Sequence, residues 1–183
     1  NRSSQLLKDI YDLAKTKPSP VDNRLLRDFG VVMALLMGTK AGVDICQAFK
    51  DELNHRIATG WHHASKEKIR LMWIQNRIQH PFPMDEMLDN LGAKIVVDEL
   101  NNVTWEPMDP DNPFESIAKR MISIPFSMST SERIRQMQGL AQDYQIDGAI
   151  NPCHWGCRQG TGARGLISKG MQDINVPVLN LEI

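Results

Sequence analysis

The segment Asp147-Gly-Ala-Ile150 is a short apolar run, and the loop Asn151-Pro-Cys-His-Trp-Gly-Cys157-Arg-Gln-Gly-Thr-Gly-Ala-Arg-Gly165 follows it directly. A helical pattern then covers Gly162–Ile174, and Val176–Leu181 is a second short apolar run. Short apolar runs that alternate with helical patterns are typical of parallel strands that helices bury on both faces. This C-terminal unit therefore predicts an α/β fold.

The same alternation extends upstream of this unit. Two further short apolar runs occur at Ile69–Ile74 and Lys94–Val97, and helical patterns cover Pro83–Leu91, Phe114–Ile122 and Ser131–Tyr144. The sequence thus predicts a Rossmann-like or flavodoxin-like parallel sheet of about four strands flanked by helices. Isoleucine, valine and leucine make up most of these apolar runs, as expected for buried parallel strands.

The first sixty residues are predicted to be helical. Ser3 or Ser4 is expected to cap a helix that runs through Ala14, since serine is a favoured N-cap residue. Two more amphipathic patterns cover Leu25–Met37 and Ala41–Ile57. We therefore expect a helical segment to precede the sheet.

These patterns predict the domain organisation. A helical segment is expected at residues 1–62, and an α/β domain is expected at residues 63–183. The chain stops within Val176-Pro-Val-Leu-Asn-Leu-Glu-Ile183, which has the composition of a strand. We therefore expect the α/β domain to be truncated.

Composition argues against several classes of protein. The 183 residues are 42% hydrophobic, which is enough for a core, and no apolar run is long enough to cross a bilayer. The formal net charge of −1 gives no overall basic field for nucleic acid. Three cysteines, an odd number, argue against a disulfide framework and indicate a reducing, cytoplasmic setting.

Polar residues follow each predicted strand. Parallel α/β sheets bind ligands beyond the carboxyl ends of their strands. Those ends are predicted at Gln75 and Asn76, Asp98 and Glu99, Asn151–Cys157, and Asn180 with Glu182. The cysteine loop is therefore expected to form one wall of a site.

The residue types in this loop leave several chemistries open. Cys153, His154 and Cys157 are possible zinc ligands, but a structural zinc site needs four ligands and the sequence has no second pair. A redox dithiol usually places two residues between its cysteines, whereas three separate this pair. Ordinary burial of the cysteines, with Trp155 packed on the sheet, is a further alternative.

The glycines of the loop suggest an anion site. Gly160-Thr-Gly-Ala-Arg-Gly165 matches the dinucleotide pattern G-x-G-x-x-G, and Glu182 follows at a predicted strand end. That pattern should follow its strand at once, yet Ile150 and Gly160 are ten positions apart. The glycines can still let a helix N-terminus approach an anion, with Arg158 and Arg164 available for phosphate.

The spacing of Asp147-Gly-Ala-Ile150, six residues and Cys157 resembles the C-terminal-domain signature of the 2-hydroxyacyl-CoA dehydratase family. This family includes the 2-hydroxyglutaryl-CoA dehydratase D-component and the benzoyl-CoA reductase subunits. The resemblance covers about residues 25–183. Four further segments resemble the family in the same order: Ile69–Ile74, Leu91–Leu100, Ser131–Tyr144 and Asn175–Ile183.

The resemblance implies a cofactor. Large subunits of this family hold an oxygen-sensitive [4Fe-4S] cluster between two α/β domains, through three cysteines. Cys157 matches the ligand from the C-terminal domain, and the other two would belong to an N-terminal domain outside this chain. Cys153 matches a position where the family needs no ligand, and Asn101 stands where many relatives carry another cysteine. A flavin is a second candidate cofactor.

The resemblance also implies an activity. The dehydratases of this family are lyases of anaerobic metabolism that remove water from (R)-2-hydroxyacyl-CoA to give an enoyl-CoA. An ATP-dependent iron–sulfur activator injects one electron, and the reaction proceeds through a ketyl radical. The expected partners are the acyl-CoA substrate, a second dehydratase subunit and the activator. Without the cluster's other ligands, the isolated chain is expected to be inactive.

Residue roles follow from the same resemblance. Cys157 would be a cluster thiolate, and His154 and Trp155 would line the pocket or tune the cluster, with His154 also a candidate for proton transfer. Candidate contacts for the phosphates of CoA are Arg158, Gly160, Gly162 and Arg164. Benzoyl-CoA-type reduction and a non-catalytic partner or activation subunit are the alternative functions.

Overall fold

A computed structural model of the chain describes residues 1–23, 35–61, 67–75, 78, 83–100 and 106–183. Within these ranges, two helices precede an alternation of strands and helices. In chain order the elements are α1 (Arg2–Ala14), α2 (Lys40–Thr59), β1 (Ile69–Trp73), α3 (Met84–Leu91), β2 (Ala93–Asp98), α4 (Pro113–Ile122), a 3-10 turn (Pro125–Ser127), α5 (Thr130–Asp143), β3 (Gly148–Cys153), α6 (Arg158–Thr161), α7 (Arg164–Gln172) and β4 (Val178–Glu182).

The four strands form one parallel sheet in the order β2-β1-β3-β4. The chain passes from β1 to β2 on one side and then places β3 on the other side of β1. The direction of the strand order therefore changes between β1 and β3, which is where open α/β sheets bind ligands. The predicted α/β fold, a parallel sheet of about four strands flanked by helices, is confirmed.

Apolar clusters cover both faces of the sheet. Successive residues of a strand point to opposite faces, so Met72 and Trp73 belong to different clusters. The larger cluster joins α1, α5 and α7 to the sheet, and its fully buried members include Leu6, Leu7, Ile10, Met72, Val96, Met137 and Ile167. Helix α1 therefore shares its core with the sheet.

Several helix ends have side-chain caps or glycines. At the start of α2, the backbone N–H of Gly42 donates to Thr39 Oγ1 at 3.0 Å. Ser129 and Glu132 form a capping box at the start of α5. Helix α2 ends at Gly60, whose φ of 63° is a conformation that glycine adopts without steric cost.

The start of α1 differs from the prediction. The helix begins at Arg2, and the serines expected to cap it lie inside the helix and are buried. The Oγ atom of Ser4 instead accepts a hydrogen bond from Arg120 Nη2 at 3.2 Å. Burial against a neighbouring segment has therefore overridden the capping preference of serine. The helix predicted at Leu25–Met37 lies mostly outside the described residues.

Arg70 is a buried charged residue within β1. Its Nη1 donates to Glu67 Oε1 at 2.7 Å and its Nε donates to the carbonyl of Tyr144 at 2.7 Å. Its Nη2 also reaches the carbonyl of Ala14, the last residue of α1, at 3.3 Å. Carbonyls at a helix end have no partner within the helix, so this guanidinium ties α1 to the amino end of the sheet.

Strand β3 is longer than the predicted run, which stopped at Ile150. Pairing with β1 does stop at Ile150, but pairing with β4 continues through Cys153. Pro152, which has no N–H to donate, falls beyond the last pairing with β1, where the strand resembles a sheet edge and tolerates proline. Cys153 is therefore a strand residue, and the loop begins at His154.

Candidate functional site

The carboxyl ends of β1 and β2 carry two buried polar side chains. The backbone N–H of Glu99 donates to Trp73 O at 2.9 Å, which places Glu99 beside the end of β1. The backbone N–H of Gln75 then donates to Glu99 Oε2 at 3.2 Å. Gln75 has a φ of 66°, which is uncommon for a residue other than glycine. The two strand ends are thus joined by a carboxylate.

Glu99 forms an ion pair with Arg133 of α5. Nε of Arg133 donates to Oε1 of Glu99, and Nη2 donates to Oε2 at 2.7 Å, so the contact is bidentate. Glu99 has no exposed surface and Arg133 is only 4% exposed. The guanidinium also lies 5.1 Å from the ring centroid of Phe126. Both charges are therefore removed from water but fully compensated by one another.

Arg133 and Gln75 also contact residues 157–161, which we call the Cys157 turn. Nη1 of Arg133 donates to the carbonyl of Gln159 at 3.2 Å, and Nε2 of Gln75 donates to the carbonyl of Gly160 at 2.7 Å. A Cβ atom added at Gly160 would clash with Gln75 Oε1 and stand 3.4 Å from Cys157 Sγ. The amide of Gln75 therefore lies close to the thiol of Cys157.

Cys157 is the N-cap residue of the short helix α6. Its N–H donates to the carbonyl of His154 at 2.9 Å, and its own carbonyl accepts from Thr161 N at 2.9 Å and from Gly160 N at 3.1 Å. The residue is partly exposed, and its thiol makes no hydrogen bond with any described residue. The backbone on both sides of Cys157 is fixed while its sulfur stays available.

Cys153 has a different environment. Its thiol is fully buried and lies 3.5 Å from the carbonyl of Asn151 and 3.9 Å from Oδ1 of Asn180. Burial raises the pKa of the Cys153 thiol, and the nearby Arg164 offsets this only in part. A thiol that resists deprotonation is a poor metal ligand, since metals bind the thiolate.

The aromatic residues between the two cysteines face different surroundings. Nε2 of His154 is buried and has no hydrogen-bond partner among the described residues. Trp155 is 77% exposed, and its backbone N–H donates to the carbonyl of Ile183 at 3.0 Å. The imidazole is therefore partly enclosed, whereas the indole faces solvent.

A pocket of about 210 Å³ lies between the 3-10 turn and the residues after Cys157. Its lining includes Phe126, Arg133, Arg158, Gln159 and Gly162. Arg164 instead forms an ion pair with Glu182. Of the residues that the sequence predicts as phosphate contacts, Arg158 and Gly162 line this pocket, Gly160 is buried beneath Gln75, and Arg164 faces β4.

The whole chain, residues 1–183, matches the family model described as 2-hydroxyglutaryl-CoA dehydratase, D-component. The chain belongs to this family. The match includes the first 24 residues, which the sequence resemblance leaves out. No curated protein matches the chain.

Membership of the 2-hydroxyglutaryl-CoA dehydratase D-component family makes the chain a subunit of the 2-hydroxyacyl-CoA dehydratase type. In the part of the chain that the structure describes, no helix is long and apolar enough to cross a membrane. Nor do the described residues place three or more histidine, cysteine, aspartate or glutamate side chains where they could jointly hold a metal ion.

The resemblance to the dehydratase family implies a [4Fe-4S] cluster, and cysteine thiolates hold the iron atoms of such a cluster. Cys157 fits one ligand position because it offers a soft sulfur that is partly exposed and makes no hydrogen bond with described residues. Cys46 and Cys153 are buried. The chain thus fits a cluster as the donor of one thiolate.

The site residues that the sequence predicts do not include Gln75, Glu99 or Arg133. The sequence indicates Gln75 and Glu99 only as polar residues at strand ends, and it does not single out Arg133. One signal for Arg133 is present, because it shares the buried face of α5 with Met137 and Leu140. An arginine on an apolar helix face must find a buried partner.

Proposed function

We propose that Cys157 is one ligand of a [4Fe-4S] cluster in an (R)-2-hydroxyacyl-CoA dehydratase. The chain would act with a second dehydratase subunit to convert the acyl-CoA substrate to an enoyl-CoA and water, by a radical elimination that follows one-electron activation by an ATP-dependent iron–sulfur protein. One observation carries the assignment of the ligand. Cys157 is the partly exposed cysteine at the carboxyl edge of the sheet, whereas Cys46 and Cys153 are buried.

The cluster, when bound, would supply one-electron chemistry and a Lewis-acidic iron. The chain's contribution is to hold a thiolate at a fixed place next to the pocket that Arg158 lines. Hydrogen bonds to the carbonyls of Gln159 and Gly160 restrain the turn that carries Cys157. An oxygen-sensitive cluster also suits a cytoplasmic, anaerobic setting.

His154 is the chain's own candidate for moving a proton. Elimination of water removes a hydroxyl group and a proton from adjacent carbons, so a base near the cluster is useful. Nε2 of His154 is buried and makes no hydrogen bond with the described residues, which leaves its lone pair or proton free for a ligand. The carbonyl of His154 accepts from the N–H of Cys157, so the two residues share one turn.

Arg158 is the strongest candidate for contact with the phosphates of CoA. It lines the pocket together with Gly162, and a guanidinium binds phosphate through paired hydrogen bonds. Arg164 is already paired with Glu182 and would have to exchange that partner for phosphate. The exposed ring of Trp155 offers apolar surface on the same edge for the bound thioester.

The ligand assignment is tested with serine variants of two cysteines. The subunit is purified anaerobically with its natural partner subunit, and the iron content and visible absorption are measured for Cys157→Ser and Cys153→Ser. We expect Cys157→Ser to lose iron and absorption, while Cys153→Ser keeps both. Full iron content in Cys157→Ser would show that another residue holds the metal.

A further inference from the structure

We infer that Gln75, Glu99 and Arg133 are positioning residues that hold the turn of Cys157 in the geometry needed for a metal ligand. This inference rests on the proposed role of Cys157. The three side chains come from the ends of β1 and β2 and from α5, and they converge on two carbonyl groups in the turn. None of the three is assigned by the family match.

The turn needs outside support because α6 is so short. Helix α6 has four residues, and a single turn is not stable alone in water. The last carbonyls of a helix have no partner inside it. Here Arg133 supplies a donor to Gln159 O and Gln75 supplies a donor to Gly160 O. The geometry of α6 is therefore imposed by residues outside it.

Glu99 organises both donors. Its carboxylate receives two hydrogen bonds from Arg133 and one from the backbone of Gln75, all within the buried interior. A buried ion pair gives little net stability compared with apolar residues of similar shape. What the bidentate contact does provide is a fixed orientation of the guanidinium, which leaves Nη1 directed at Gln159.

Gln75 adds a second restraint beside the sulfur. Its backbone adopts φ of 66°, a strained conformation for a residue with a side chain, and the hydrogen bond from its N–H to Glu99 supports that conformation. The Oε1 atom of the same side chain is buried without a hydrogen-bond partner among the described residues. Nε2 of the Gln75 amide thus donates to Gly160, and Oε1 remains as a hydrogen-bond acceptor near Cys157.

A second buried ion pair in the same fold serves as a matched control. Arg70 and Glu67 are paired at 2.7 Å with side chains as buried as those of Arg133 and Glu99, but they lie at the amino end of the sheet. Arg70→Lys should therefore disturb the fold to a comparable extent without touching the Cys157 turn. Arg133→Lys keeps the charge but loses the forked donor, and Gln75→Met removes the amide without placing a charge.

The first measurement needs no cluster. Alkylation of each cysteine in the iron-free protein is followed by mass spectrometry under native conditions. We expect Cys157 to react faster in Arg133→Lys and Gln75→Met, with Cys46 and Cys153 unchanged, and no change in Arg70→Lys. Buried Cys46 and Cys153 report global unfolding, because they become reactive only when the fold opens.

The second measurement uses the cluster-loaded subunit. We expect iron loss to a chelator to be about tenfold faster in Arg133→Lys and Gln75→Met, as is typical when residues that support a metal ligand are replaced. The electron paramagnetic resonance spectrum of the reduced cluster should change in these two variants and stay constant in Arg70→Lys. A purely structural role would not alter that spectrum.

The outcomes separate the two proposals. Unchanged Cys157 alkylation in both site variants would overturn the positioning role, and so would an equal rise in Arg70→Lys or a rise shared by Cys46. If the unmutated subunit binds no iron at all, the proposed function fails, and the alkylation rates still decide whether the network positions Cys157.

Discussion

The side-chain amide of Gln75 occupies the space that a Cβ atom on Gly160 would need. Its Nε2 donates to the carbonyl of Gly160 at 2.7 Å, and its Cδ lies 3.1 Å from the position of that missing Cβ. The buried amide has little room to retreat, since Gln75 is only 1% exposed. Close packing against the buried side chain of Gln75, and not an unusual backbone angle, therefore favours glycine at position 160.

Replacing Gly160 with alanine should displace the Cys157 turn and lower the stability of the protein. The new methyl group displaces the amide of Gln75, and overpacking of this kind costs about 1–3 kcal/mol of the free energy of unfolding. Urea denaturation measures the change. Gly139→Ala is the control, because Gly139 lies within α5, a Cβ there meets nothing within 4 Å, and alanine favours a helix interior by about 0.5–1 kcal/mol over glycine. Equal effects of the two substitutions would contradict the packing described for Gly160.

Cys153 should be alkylated more slowly than Cys157 and should need a high pH to react. Burial raises the pKa of the Cys153 thiol, so its reactive thiolate should appear only at a pH above that of an ordinary cysteine. Cys157 is partly exposed, so its sulfur should be alkylated faster than the buried sulfur of Cys153. Iodoacetamide labelling from pH 7 to 10, resolved by peptide mass, checks this order. Faster labelling of Cys153 at neutral pH would contradict the buried position of its sulfur.

Tyr144→Phe should lower stability at neutral pH and flatten the loss of stability in alkali. The phenol donates to the carbonyl of Tyr11 at 3.0 Å in the core, and such a bond contributes about 1 kcal/mol.

Burial, reinforced by the negative charges of Asp12 and Asp143, raises the pKa of Tyr144 well above its usual value. Above about pH 10 the unfolded phenol ionises while the folded one stays protonated, so stability falls as the pH rises. Denaturation midpoints at pH 7 and pH 10.5 for both proteins test the sign. Parallel pH curves would show that Tyr144 does not contribute.

Arg158 and Arg164 should contribute unequally to the binding of coenzyme A. Arg158 lines the pocket, whereas Arg164 is paired with Glu182. We expect Arg158→Ala to weaken binding about tenfold or more, since hydrogen bonds to charged groups are worth about 1.5–3 kcal/mol. Arg164→Ala should have the smaller effect. Calorimetric titration with coenzyme A measures both, and the reverse order would place the phosphates near β4.

The sequence predicts the elements of this fold well because each carries its own local pattern. The buried run Ala93–Asp98 and the amphipathic helix α5 lie within one or two residues of their predicted bounds. The strand order could not be predicted in the same way. The sequence of an apolar strand that is buried on both faces does not indicate which strands pair with it. Pairing of β1 with β3 depends on the whole connection between them.

The site is predicted less completely, for a related reason. Cys157 is visible in the sequence because its loop is rich in cysteine and glycine. The residues that restrain it are far away along the chain: 34 positions separate Glu99 from Arg133, and 85 separate Gln75 from Gly160. The sequence shows an arginine on a buried helix face, but it does not show which carboxylate or carbonyl meets it.

These long separations bear on the order of events when the protein is made. A contact that closes a loop of 85 residues forms only after the intervening chain has been synthesised and folded. The local bonds around Cys157 can appear early, but the restraints from Gln75 and Arg133 come with the pairing of β1 and β3. If Cys157 is a cluster ligand as proposed, we therefore expect the cluster to bind after the sheet has assembled, and not to the nascent chain.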